Sequence, residues 1–295
     1  MNKFSKYVVT FSLSAVFSVA APLSTYTSIA NASGGSAPVV EQQDQQQEKV
    51  NLGTENTMAV SWYQNSAEAK ALYLQGYNSA QVQLDKEIKK NKGDHKLAIA
   101  LDLDETVLDN SPYQGYASLN NKVYPEGWHE WVEAATAKPV YGAKEFLKYA
   151  DQKGIAIYYI SDRDQDKDFK ATQKNLKAQG IPQATEDHIL LKGKNDKSKE
   201  SRRQAVEKDH KLVMLFGDNL LDFGEPKKPT AEEREKFVQK HKDEFGKKYI
   251  IFPNPMYGSW EGTLYNNDFD ISDEQKDALR KESIKQFNPS TGEVE

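Results

Sequence analysis

The chain has no cysteine among its 295 residues. That excludes a disulfide framework, a thiolate metal site and a lipid-modified N-terminal cysteine. It also has no surplus of positive charge, with 39 Lys and Arg against 44 Asp and Glu, a net charge of −5. Such a chain offers no electrostatic funnel to a nucleic-acid polymer. An anionic substrate must be drawn by local charge or a bound cation, so a small one is expected. No internal repeat is present. The N-terminal apolar stretch, Tyr7 to Leu23, is shorter and more serine-rich than a typical membrane-spanning helix.

What that stretch does have is company. Lys3 and Lys6 precede it and Ala30-Asn31-Ala32 follows, the order of a secretory signal peptide cleaved after Ala32. The expectation is a secreted protein, at most loosely held at the cell envelope, with no stable membrane anchor after cleavage. Residues 1–32 carry two lysines and no acids, so their removal takes the net charge from −5 to −7. Residues 33–56 are rich in Ser, Gly, Gln and Glu with hardly any aromatic content, and read as a disordered linker. Residues 57–295 remain for one α/β domain with accessory parts.

Within that domain, Leu97-Ala98-Ile99-Ala100-Leu101 is apolar without alternation, as a strand buried on both faces of a parallel sheet is. It stops at Asp102. Ligand sites of open α/β sheets lie beyond the carboxyl ends of the strands, so Asp102 and Asp104 fall where chemistry is expected. Two carboxylates held together need a cation or a shared proton, which predicts a hard metal ion. One of the pair can attack an electrophile while the other protonates the leaving group: Asp102 is assigned as nucleophile and Asp104 as general acid.

Further apolar runs follow at 155–160, 189–191, 213–216 and 249–252, each a strand. The run at 155–160 ends in Ser161-Asp162-Arg163, where a hydroxyl and backbone donors can hold a phosphoryl oxygen. The run at 189–191 opens into a basic stretch, Lys192 to Arg203, leading into a helix; a solvated helix start accounts for most of these cations, since one site uses only one or two. The run at 213–216 delivers Gly217-Asp218 and then Asp222, a second acid pair that would complete an oxygen-only Mg²⁺ site. Helical spacing covers 57–92, and Ser272-Asp273-Glu274-Gln275 caps a last helix, making 57–92 and 266–295 a helical accessory part. Residues 110–138 hold Tyr113, Tyr116, Tyr124, Trp128 and Trp131 but no long apolar strand. They read as an aromatic cap insertion overhanging the site.

Asp102-Leu-Asp104-Glu-Thr106 resembles the first motif of the haloacid dehalogenase superfamily, and the run from Asp102 to Tyr113 is similar to the class C acid phosphatases within it. The resemblance extends from about Trp62 to Trp260. It implies a Rossmann-like, mostly parallel sheet flanked by helices with a smaller helical cap. It makes Ser161, with Asp162 and Arg163, the phosphate-binding second motif. It places a charge-screening lysine in the basic stretch, taken as Lys197 with Lys199 as the alternative. It completes the four-aspartate signature with Asp218 and Asp222. One Mg²⁺ is implied, held by Asp102, the Asp104 backbone carbonyl, Asp218 and Asp222, the last directly or through water. Tyr257, with Tyr113 and Trp128 from the cap, is the expected substrate contact.

The reaction implied is hydrolysis of small phosphomonoesters, 5′-nucleotides or aryl phosphates, through an aspartyl-phosphate. A homodimer is compatible with this reading. Receiver domains also gather aspartates, Mg²⁺ and a lysine to accept a phosphoryl group, but export argues against a signalling partner inside the cell. A secreted binding protein that has lost catalysis on this fold is a second alternative, against which stand the intact acids.

Overall fold

The computed structural model describes residues 50–93 and 95–294. The expected signal peptide and most of the expected linker lie outside the described residues. The elements are α1 (Leu52–Glu55), α2 (Thr57–Asn65), α3 (Ala67–Asn91), β1 (Leu97–Leu101), β2 (Leu108–Asp109), α4 (Ser111–Leu119), α5 (Trp128–Ala134), β3 (Lys138–Pro139), α6 (Ala143–Gln152), β4 (Ala156–Asp164), α7 (Gln165–Ala178), β5 (Ile189–Lys192), α8 (Glu200–Glu207), β6 (Lys211–Gly217), α9 (Ala231–Lys240), β7 (Tyr249–Ile251), α10 (Ser259–Gly262) and α11 (Asp273–Glu282). Among the described residues, no helix is long and apolar enough to cross a membrane.

Five strands form one parallel sheet in the order β5-β4-β1-β6-β7. The expected α/β fold, a parallel sheet flanked by helices, is therefore what the chain adopts. The strand run leaves β1 in one direction to β4 and β5, then crosses back to β6 and β7, so a switch point lies between β1 and β6. Leu101 pairs with both Tyr159 of β4 and Phe216 of β6. That register brings Asp102 to the carboxyl edge, with Ser161 and Asp218 one residue further on along the neighbouring strands.

All five residues of β1 are buried, and their alternation of large and small sets the two faces apart. Leu97, Ile99 and Leu101 join the larger core beneath α3 and α6, whereas Ala98 and Ala100 face a smaller cluster with Val206 of α8. Over that face α8 packs against β4 and β6 on either side of the alanines. On the other face, Ala69, Tyr73, Tyr77, Ala80 and Leu84 form one buried stripe along α3 at spacings of three and four. Two members of the stripe are polar at the tip: the Tyr73 hydroxyl donates to the carbonyl of Glu105, and that of Tyr77 to the carbonyl of Thr106 at 2.6 Å. The long helix thus pins the turn that carries the first acid pair.

One boundary differs from expectation. Ordered chain begins before residue 57: α1 buries Leu52 and Gly53, and Asn51 caps it by accepting from the Thr54 N–H at 2.9 Å. The short apolar anchor Leu52 outweighs the polar composition around it. At the other end α11 buries no residue and Phe287 is exposed. The helix reaches the N-terminal elements through an ion pair, Arg280 to Glu55 at 2.6 Å.

Candidate active site

After β1 the chain makes a tight turn in which the Leu103 carbonyl accepts from the amides of Val107 and Leu108 at 2.9 and 2.8 Å. Glu105 takes a left-handed φ of 52° there and is fully buried. This turn leaves Asp102 on the sheet side and sends Asp104 toward β4.

The carboxylates of Asp102, Asp218 and Asp222 offer oxygens that all lie within 4.8 Å of one another. Asp218 follows β6 directly, and Asp222 ends the one-turn helix at 220–222, its carboxylate accepting from the Asn219 N–H at 2.9 Å. That carboxylate lies flat on Gly217, where any β-carbon would overlap it. We therefore expect Gly217→Ala to displace Asp222, costing about 1–3 kcal/mol as overpacking does. Thermal melting should show the loss together with a drop in activity of at least about tenfold.

The cation that meets this cluster is Lys199, whose Nζ stands 2.7 Å from Asp102 Oδ1 and 2.6 Å from Asp222 Oδ1. Lys197, the first choice from sequence, is exposed. The assignment is corrected to Lys199, because the segment turns into α8 just after it and carries its side chain inward beneath the alanine face of β1. More of the basic stretch is used than expected. Arg202 donates to the Ser161 carbonyl at 2.6 Å and pairs with Asp162 at 2.6 Å, and Arg203 donates to the carbonyls of Leu221 and Asp222, both at 3.0 Å. The two arginines brace the loops on either side of Asp102, and both are buried.

Burial raises Asp102 well above the ordinary carboxylate range; Lys199 opposes this, and Asp222 and Asp218 add to it. Asp218 is pushed up to about 7 by burial and by Asp222, with the Asn254 amide opposing at 2.8 Å. Burial on its own would lower Lys199, but Asp102 and Asp222 hold it above its usual value. One lysine does not neutralise three carboxylates, and the excess charge suits a hard divalent cation with oxygen ligands. Both Asp222 oxygens already hold donors, so Asp102 and Asp218 have the freer ligand atoms.

Asp104 is clasped from the other side. It accepts from Arg163 Nη2 at 2.7 Å and Nε at 3.0 Å, from Asn110 Nδ2 at 2.8 Å and from the Ser161 hydroxyl at 3.3 Å. Ser161 is thus beside the acid pair as expected. The Arg163 side chain differs from expectation: it is buried and bound to Asp104, Thr172 and Asn110, and so is not free to take a phosphoryl oxygen. Asp162 is tied to Arg202. Burial would raise it, but Lys199 and Arg202 keep it below its ordinary value.

Of the three expected substrate aromatics, Tyr113 is corrected: it is 2% exposed, its hydroxyl donating to the Glu126 carbonyl at 3.2 Å, because α4 packs against α1 and α2 and the Tyr113 ring meets Trp128 edge-on. Trp128 is half-buried over the Arg163 guanidinium at 5.6 Å, beside Tyr124, which is 70% exposed. Tyr257 is half-buried, and its hydroxyl donates to Glu105. His129, next to Trp128, is exposed with Nδ1 at 3.0 Å from Asp168.

The sequence reading overlooked Glu105, Asn110, Trp131 and Asn254. Burial and Asp104 raise Glu105 well above its ordinary range. Its neighbours Asp104 and Thr106 are polar too, so only its burial in the folded turn sets it apart. Asn254, between two prolines after β7, carried no signal in the sequence.

The family model described as HAD superfamily, subfamily IIIB (acid phosphatase), matches residues 23–260. The chain is 47% identical to the class C acid phosphatase of Bacillus anthracis, whose structure superposes with a TM-score of 0.78, covering 81% of this chain and 100% of that one. A second structure of that protein, with tungstate bound, gives 0.79 at the same identity and coverage. Class B acid phosphatases of Proteus mirabilis (strain HI4320) and Morganella morganii are 28% and 25% identical over 149 and 151 residues, 46% of this chain. The match spans 61% of the length of each of these two relatives.

Proposed function

Because the chain belongs to subfamily IIIB of the HAD superfamily, the acid phosphatases, we propose that it hydrolyses small phosphomonoesters, 5′-nucleotides and aryl phosphates among them, with Asp102 as nucleophile. The observation that carries this is the placing of Asp102 at the switch point, between Lys199 on one side and Asp218 on the other, with Asp104 two residues on. Tungstate, bound in the Bacillus anthracis relative, is an oxyanion of phosphate's kind, which supports a phosphoryl substrate.

In the proposed cycle an Asp102 oxygen attacks phosphorus in line, and the bond to the ester oxygen breaks as Asp104 gives that oxygen its proton. The products are the free alcohol and an aspartyl-phosphate. Asp104, now a carboxylate, takes a proton from water as the water attacks phosphorus. Inorganic phosphate leaves and Asp102 is restored. Lys199 and the Ser161 hydroxyl stabilise the charge on the phosphoryl oxygens throughout. Mg²⁺ would be held by Asp102, Asp218 and the Asp104 carbonyl, with Asp222 acting through water; when bound it neutralises phosphate and carboxylate charge. Trp128 and Tyr257, both half-buried, are the rings proposed to meet a flat leaving group. The lysine, apolar and small-residue order at the N-terminus supports export with cleavage after Ala32.

The test is hydrolysis of p-nitrophenyl phosphate by the protein from residue 33 on. Turnover should be lost in EDTA, return with Mg²⁺ and fall from mildly acidic to basic pH, since Asp104 must start each cycle protonated. An enzyme indifferent to EDTA, or faster at basic pH, has another mechanism. Chelation should also lower the melting temperature, and more at pH 7 than at pH 5. A raised Asp218 is stabilising while protonated, and that contribution is lost as pH rises toward about 7. Only there does an ionised carboxylate need the cation.

A further inference from the structure

We propose that Asn110 is a positioning residue for proton transfer: it fixes the Asp104 carboxyl toward the leaving group and ties it to the cap through the indole of Trp131. This rests on the reading of Asp104 as general acid.

Asn110 precedes α4, where an asparagine ordinarily accepts a hydrogen bond from the first turn of the helix. It makes no such side-chain cap. Instead the side chain is fully buried and turned into the site. Its Oδ1 accepts from Trp131 Nε1 at 2.8 Å and from Arg163 Nη2 at 3.3 Å, and its Nδ2 donates to Asp104 Oδ1 at 2.8 Å. Its backbone N–H donates to Glu105 at 2.7 Å.

Chemistry fixes which end points which way. Indole and guanidinium only donate, so the amide oxygen must face those two, which leaves the amide nitrogen to donate to Asp104. Asparagine is the smallest side chain that serves both ends. Aspartate would set a third acid against Asp104 and Glu105, and an apolar residue would strand the buried indole N–H. Arg163 holds Asp104 as well, but by both carboxyl oxygens. The Asn110 amide draws on Oδ1 alone at 2.8 Å and the Ser161 hydroxyl on Oδ2 at 3.3 Å, so of the two single-oxygen contacts the shorter is Asn110's, and it does more to set the carboxyl's rotation.

A group that orients a general acid matters most when the departing oxygen cannot leave without a proton. p-Nitrophenolate can; an alkoxide cannot. The experiment compares kcat/KM, which reports steps up to release of the alcohol, for p-nitrophenyl phosphate and glycerol 2-phosphate in three variants. Asp104→Asn should lose roughly 10²–10⁴ with the alkyl ester and much less with the aryl ester. Asn110→Ala should repeat that selectivity at roughly 10–10² with the alkyl ester and under about threefold with the aryl one. Trp131→Phe keeps an aromatic ring at the position and removes the N–H together with part of the indole. It should show the same selectivity at roughly 3–10-fold, and it serves if Asn110→Ala does not fold. Selective loss in Asp104→Asn with equal or no loss in the variants at 110 and 131 overturns the positioning role and leaves the acid assignment standing. Equal loss on both esters in Asp104→Asn overturns the acid assignment and the positioning role with it.

Discussion

Asp102→Asn should abolish turnover, by on the order of 10⁵–10⁶ if the residue is the covalent nucleophile, as deletion of such a group does elsewhere. The argument is that an amide oxygen is a poor nucleophile and cannot give a stable acyl phosphate, while its size and burial match the native side chain. The same substitution should not lower the melting temperature of the cation-free protein. Burial and the neighbouring acids already disfavour a charge at this position, so a neutral isostere relieves repulsion. Steady-state assay and thermal melting together make the test: residual activity within a hundredfold of the parent would remove Asp102 from the covalent role.

Lys199→Met should cost both stability and rate, and Lys197→Met neither. Lys199 is 6% exposed and holds two carboxylates from different strands. Removing it leaves a buried charge uncompensated, about 3–5 kcal/mol for pairs of this kind. It also removes a preorganised donor at the phosphoryl oxygens, roughly 10²–10³ in kcat. Denaturant melts and kcat on p-nitrophenyl phosphate measure the two effects. A Lys197→Met variant that fell as far as Lys199→Met would reverse the choice between the two lysines.

That choice shows where reading the sequence stopped. Strands and acids were legible because short apolar runs without alternation stood out from the charged sequence between them, and two of these runs led straight to carboxylates, Asp102 and Asp218. Choosing between lysines two residues apart required the direction in which the chain turns into α8, which depends on how that helix packs against β4 and β6. The two arginines that follow were taken for solvated charge, since nothing in a run of cations says which face carbonyl groups. Tyr113 was misplaced for a related reason: the aromatic cap insertion was recognised, but composition does not say which side of α4 points inward. Asn110 went unassigned because an asparagine before a helix already has an ordinary explanation.

The hydroxyls of Tyr73 and Tyr77 reach carbonyls only 32 and 29 residues further along the chain. Contacts so near in sequence close small loops and form early, ahead of the distant pairing that joins β1 to β6. The acid-bearing turn can therefore take its shape against a helix made before it, so that the later strands deliver their ligands to a seat already in place.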